Sequence, residues 1–142
     1  VAKLIDAKDS QLVGLAKEIQ TQTKLKPFFT MPTAKGGVVM RGLAEGFFVE
    51  YLIRLRPHLR FSERDGSFFD YDAETGLFRS ILQPVLLDKI LEDILRFRTA
   101  YEGIDLFLAE KMEEFRTLNF AQKLAGRLQG RCNWRGNWNE WE

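Results

Sequence analysis

The sequence predicts an α+β fold, mainly helical, carrying a small antiparallel three-strand meander. Apolar residues recur at helical spacing in stretches on both sides of residue 58. Between these stretches, the aromatic-rich segments 58–63 and 67–71 flank Asp65-Gly66, a pair whose tolerance of positive φ suits a two-residue hairpin turn. Of the 142 residues, 45% are hydrophobic, enough to bury roughly two-thirds of the unfolded chain's surface around one core.

Taken in order, Asp9 or Ser10 can cap a first helix in which Leu12, Leu15, Ala16 and Ile19 share a face, fading in the polar run 20–26. Pro27-Phe28-Phe29-Thr30-Met31-Pro32 and Lys35-Gly36-Gly37 are rich in breakers, so this stretch is expected to be a loop whose two Phe dock on the main body. Residues 41–56 return to helical order with Leu43, Phe47, Val49, Leu52, Ile53 and Leu55. That is too many apolar positions for a thin stripe, so the helix is expected to be largely buried, and Pro57 ends it. After the Asp65-Gly66 hairpin, residues 72–76 form a longer turn with Gly76 in the left-handed position, leading to a third strand, 77–80. Pro84 suits the first turn of a helix running to about Thr99 through Val85, Leu86, Ile90, Ile94, Leu95 and Phe97. Gly103 breaks the chain, Asp105 caps a shorter helix with Leu108, Met112 and Phe115, and Asn119 is expected to cap a last helix, 120–129, stopped by Gly130. This order divides the chain into a basic N-terminal helix and linker arm (1–41), a helical domain with the meander (42–130) and a Trp-rich C-terminal tail (131–142).

The net charge is +1, from 21 Lys and Arg against 20 Asp and Glu, but it is unevenly spread. Residues 1–42 hold seven cations (Lys3, Lys8, Lys17, Lys24, Lys26, Lys35 and Arg41) against Asp6, Asp9 and Glu18, and residues 116–139 hold no acid at all. In that acid-free run Lys123, Arg127, Arg131 and Arg135 fall four apart, so a helix continuing past Gly130 would line them along one face. Trp134, Trp138 and Trp141 stand nearby. Mobile cations for phosphates and flat rings for bases are the two parts of a single-strand-binding surface. Lys123, Arg127, Arg131, Arg135, Trp134 and Trp138 are therefore the candidate nucleic-acid-binding residues, and single-stranded DNA, bound weakly, the candidate partner.

Other functional classes find less support. Lys35-Gly36-Gly37 lacks the wider glycine spacing and the following Lys and Ser/Thr of a phosphate loop. Asp70, Asp72 and Glu74 surround a turn without the Gly and distal Glu of a calcium loop. One histidine, His58, and one cysteine, Cys132, are too few ligands for a structural zinc site, and no second histidine exists to activate the thiol. A hydrolase using His58 with Asp70 or Asp72 would lack a nucleophile motif. Of the Phe47-Phe48, Phe68-Phe69 and Phe28-Phe29 pairs, one member each is expected in the core, with Phe68 or Phe69 the candidate exposed stacker. No catalytic residue, metal or cofactor is expected. No apolar run reaches the ~18–20 residues needed to span a bilayer, and the first residues lack the order of a signal peptide, so the chain is expected to be soluble and cytoplasmic, with no membrane partner.

A family resemblance runs through residues 42–130. Leu43-Ala44-Glu45 opens a helix, Arg60-Phe61 leads a strand, and Gly66-Ser67-Phe68-Phe69-Asp70-Tyr71-Asp72 is followed by Thr75-Gly76-Leu77-Phe78, a long amphipathic helix and further helices. This order resembles the helical module preceding the motor of superfamily-three primase-helicases of phages, plasmids and poxviruses, with Phe78 where that family usually has Trp. The resemblance implies a non-catalytic linker or collar that connects priming to unwinding, assists ring assembly and touches DNA, with other domains or subunits of a helicase ring as partners. The ATPase motor would then lie beyond Glu142 and the primase site before Val1, and the chain itself would turn over no ATP. The competing expectation is a protein-interaction adaptor whose exposed aromatics and N-terminal helix dock on another protein without nucleic acid.

Overall fold

Local chemistry sets the first element's end. In the computed structural model, which describes residues 7–133, helix α1 (Ala7–Thr23) closes with Lys24 in the left-handed region at φ 63°. Its N–H donates to the Gln20 carbonyl at 3.0 Å. This is the single-bond left-handed helix stop that glycine fills most readily, because a Cβ there crowds the following carbonyl. Lys24→Gly is therefore expected to raise stability by about 0.5–1 kcal/mol, read as a higher urea midpoint at unchanged m-value.

The stretch expected to be a loop is a hairpin. β1 (Phe28–Pro32) pairs antiparallel with β2 (Val38–Leu43), with Arg41 the extra residue of a bulge. Lys35-Gly36-Gly37 lies in its turn, where Gly36 at φ 83° donates its N–H to the Thr33 carbonyl. Only one of the two Phe docks: Phe28 meets the Tyr101 ring edge-on at 5.7 Å, while Phe29 is exposed. Helix α2 (Glu45–Leu55) consequently starts later than the expected residue 41, because residues 41–43, Leu43 among them, belong to β2.

The meander is present as β3 (Arg60–Ser62), β4 (Ser67–Asp72) and β5 (Leu77–Ile81), in spatial order β3-β4-β5. Its two turns share one construction. Ser62 opposes Ser67 and Asp72 opposes Leu77, leaving residues 63–66 and 73–76 as loops. Each loop is closed by a glycine N–H donating to the carbonyl four residues back, from Gly66 to Ser62 and from Gly76 to Asp72. Both glycines have positive φ but Asp65 does not, so the expected two-residue turn gives way to a four-residue loop with one left-handed position. Ser62 and Asp72 side chains accept N–H groups inside these loops, a stabilisation that a two-residue turn has no room for.

Helix α3 (Gln83–Tyr101) begins with Pro84 in its first turn, and α4 (Leu106–Phe115) is capped by Asp105, which accepts from the Leu108 N–H at 3.0 Å. The last helix, α5 (Leu118–Arg131), is capped by Thr117 rather than Asn119, through acceptance from the Phe120 N–H. α5 also passes through Gly130. Its final turn is fastened by the Cys132 carbonyl, which accepts from the Phe61 N–H at 2.8 Å, and by Asn133, which donates to Glu63 at 2.9 Å.

The core lies where α1, α2, α3 and α5 meet. α1 supplies Leu12, Ala16 and Ile19, and α2 supplies Phe47, Phe48, Val49, Tyr51 and Leu52. On α3 the buried face includes Leu87, Asp93 and Ala100 but not Val85 or Leu95, which stay exposed. Phe97 sits among the rings of Phe47, Phe48, Tyr51 and Tyr101. The meander turns Phe61 and Phe68 towards the helices. Tyr51 donates to the Asp93 carbonyl at 3.1 Å, and burial, with the Asp93 charge adding to it, holds its phenol far above the usual tyrosine range. No helix among the described residues is long and apolar enough to cross a membrane.

Candidate nucleic-acid interface

Because α5 continues to Arg131, the four-residue spacing places Lys123, Arg127 and Arg131 along one side of an unbroken helix, and all three are exposed. Trp134, Arg135 and Trp138 lie outside the described residues. α5 packs beside α2, and the two glycines Gly46 and Gly130 leave space between them. The result is a groove of about 500 Å3 lined by Leu25, Gly46, Val49, Glu50, Arg127, Gly130 and Arg131. A Cβ built on Gly46 would lie 3.4 Å from Leu25 Cδ1 and 4.0 Å from Arg127 Nη1, so the guanidinium leans across the glycine.

Leu25 brings the basic N-terminal segment to the same place. Its neighbours Lys24 and Lys26 are exposed, and Lys24 holds the left-handed position that glycine would fill with less strain. Strained backbone at a non-glycine residue is a feature that clusters at functional sites. Leu25 of this basic segment and Arg127 of the acid-free run, 102 residues apart in sequence, thus line one groove.

Nearby acids grade these cations. Arg131 Nη1 donates to Glu50 Oε1 across the groove, and Arg54 Nε reaches the other Glu50 oxygen at 4.0 Å. Arg116, the first cation of the acid-free run, is held by Glu113 at 2.6 Å, and that hydrogen bond keeps the Glu113 carboxyl below the usual range. Lys123 and Arg127 make no ion pair among the described residues, which leaves them the freest charges of the set. Sequence spacing found the row; Glu50, on another helix, carried no signal that it would face Arg131.

The remaining candidates are dispersed. His58 is exposed, its ring 5.5 Å from that of Tyr71. Asp70 faces Arg56 at 4.0 Å and Asp72 pairs with Arg79 at 3.2 Å, so neither orients the imidazole. Among the described residues no group of three or more His, Cys, Asp or Glu could hold a metal ion. Cys132 is buried, and burial pushes its thiol up, away from the reactive thiolate. Phe47 and Phe48 are both in the core, and Phe68 is buried at 2% exposure, which removes it as a stacker; Phe69 is half-buried. The most exposed ring of the meander is Tyr71, at 43%. Alternation along β4 contained that signal, since burial of Phe68 sends 69 and 71 to the opposite face.

Comparison with protein-family models, curated proteins and solved structures finds no match.

Proposed function

We propose that this chain is a non-catalytic module that binds single-stranded DNA along the groove between α2 and α5. The observation that carries the reading is a groove lined by Arg127 and Arg131 and by Leu25, whose neighbours Lys24 and Lys26 are exposed, with exposed Lys123 further along the same side of α5 and Glu50 the acid among the lining residues. Exposed cations on a fixed helix neutralise successive phosphates and release counterions, an interaction that needs no enclosed pocket. Arg135, Trp134 and Trp138, which lie outside the described residues, belong to the proposal by their place in the sequence. The finer reading, a linker or collar module of a phage or plasmid primase-helicase that also assists ring assembly, rests on the resemblance in residues 42–130.

The test is fluorescence anisotropy with a labelled single-stranded oligonucleotide across a salt series. The chain is expected to bind weakly at low salt, with affinity falling as salt rises. Lys123→Glu/Arg127→Glu, which leaves the Arg131–Glu50 pair intact, is expected to weaken binding at least tenfold and to flatten the log–log slope by about 1.4, at ~0.7 per lost phosphate contact. A parent chain without salt-dependent binding would remove the reading. That result would favour a protein-docking adaptor, which has its own supporting observation: the outer face of the β1–β2 hairpin carries Phe29, Met31 and Val39, all exposed.

A further inference from the structure

The outer face of the meander carries a second feature suited to a single strand. Alternation places Phe69 and Tyr71 of β4 on the face opposite buried Phe68. Register brings Phe78 of β5 across from Tyr71 and Arg60 of β3 across from Phe69. The rings of His58, Tyr71 and Phe78 follow one another at centroid distances of 5.5 Å and 5.5 Å, a row crossing from the turn before β3 to the far strand. Tyr71, in the middle, has 43% of its surface open, and His58 is exposed.

Charge connects this row to the groove. Arg60 folds its guanidinium back on the turn that carries His58, donating from Nη1 to the carbonyls of Pro57 and Leu59 at 2.8 and 2.9 Å. Arg60 and Arg131 line one small cavity of about 130 Å3, with Arg56 also on its wall. Cations therefore continue from Arg127 through Arg131 to Arg60, where the aromatic row begins. The β4 carboxylates lie on the other side of the sheet, Asp70 towards Arg56 and Asp72 towards Arg79. In the first loop, Glu63 and Asp65 are engaged by Asn133 and Ser62.

We propose that the outer face of the meander is a base-stacking platform, with Tyr71 as the ring that receives a base of a single strand whose phosphates follow Arg127, Arg131 and Arg60. This rests on the groove reading and adds to it where the bases go. A flat ring on a rigid sheet stacks any base with little loss of side-chain entropy, so the platform takes single-stranded DNA without sequence preference and rejects duplex, whose bases are already stacked.

The experiment compares labelled oligothymidylate with an abasic strand of equal length and charge, using the full chain and its Tyr71→Ala and Tyr71→Phe variants. The parent is expected to bind the thymidylate about tenfold more tightly than the abasic strand, with the same salt slope for both. Tyr71→Ala is expected to erase that difference and leave the slope unchanged, while Tyr71→Phe preserves it. Equal affinity of the parent for both strands, or a Tyr71→Ala variant that weakens both alike, would overturn the platform and leave the groove standing. The comparison within the parent requires no variant to fold. Absence of salt-dependent binding to either strand would overturn groove and platform together.

Discussion

Phe97→Ala is expected to cost about 3–5 kcal/mol, the range for deleting a fully buried aromatic whose cavity cannot collapse. Phe97 is 2% exposed, and four aromatic rings surround it at centroid distances between 5.3 and 5.8 Å. Those rings come from α2 and from α3 itself. They hold their edge-on and stacked positions partly through contact with Phe97, so the vacancy removes pair interactions as well as apolar burial. For a domain with total stability near 5–15 kcal/mol, the loss is a large fraction of the whole. Chemical denaturation is expected to show a much lower midpoint with a near-native m-value. A change below 1 kcal/mol would mean that the aromatic cluster repacks freely and does not organise the core.

Arg56→Met is expected to cost a similar amount, about 3–5 kcal/mol, for an electrostatic reason. Arg56 closes α2 and reaches α3 with two hydrogen bonds to Asp93, Nε to Oδ2 at 2.7 Å and Nη2 to Oδ1 at 3.1 Å. Asp93 is 2% exposed. Removing the guanidinium leaves a carboxylate out of water with its partner gone, a state far worse than either a paired charge or an apolar side chain. The double variant Arg56→Met/Asp93→Leu is accordingly expected to recover most of the loss, since replacing both members of a buried pair is often neutral or stabilising. Thermal or urea denaturation of the two single variants and the double gives the coupling directly. Additive losses would show that the pair does not act as a unit.

Asp93 shows how far the sequence could be read. The apolar period of α3 was legible, yet it assigned Val85 and Leu95 to the stripe and passed over Asp93, because a hydropathy pattern treats every carboxylate as a surface group. Only the position of Arg56, 37 residues earlier, makes a core-facing acid tolerable. The candidate site divides the same way. Spacing alone identified Lys123, Arg127 and Arg131, but which of them is free depends on Glu50 of another helix.

What the sequence determined by itself was whatever a few neighbouring residues decide. Gly66 and Gly76 set two left-handed turn positions, Pro84 opens α3, Asp105 caps α4, and dense apolar spacing makes α2 a buried helix. Tertiary structure decided the rest. Residues 28–43 form a hairpin because Phe28, Met40 and Leu43 find a core face to cover, against the local signal of Pro27, Pro32, Gly36 and Gly37. α5 runs through Gly130 because the edge of β3 takes up the Cys132 carbonyl and Asn133. Glycine's preference to stop a helix amounts to about 1 kcal/mol, and contacts arriving from seventy residues away in sequence outweigh it in a way that no window of neighbouring residues contains.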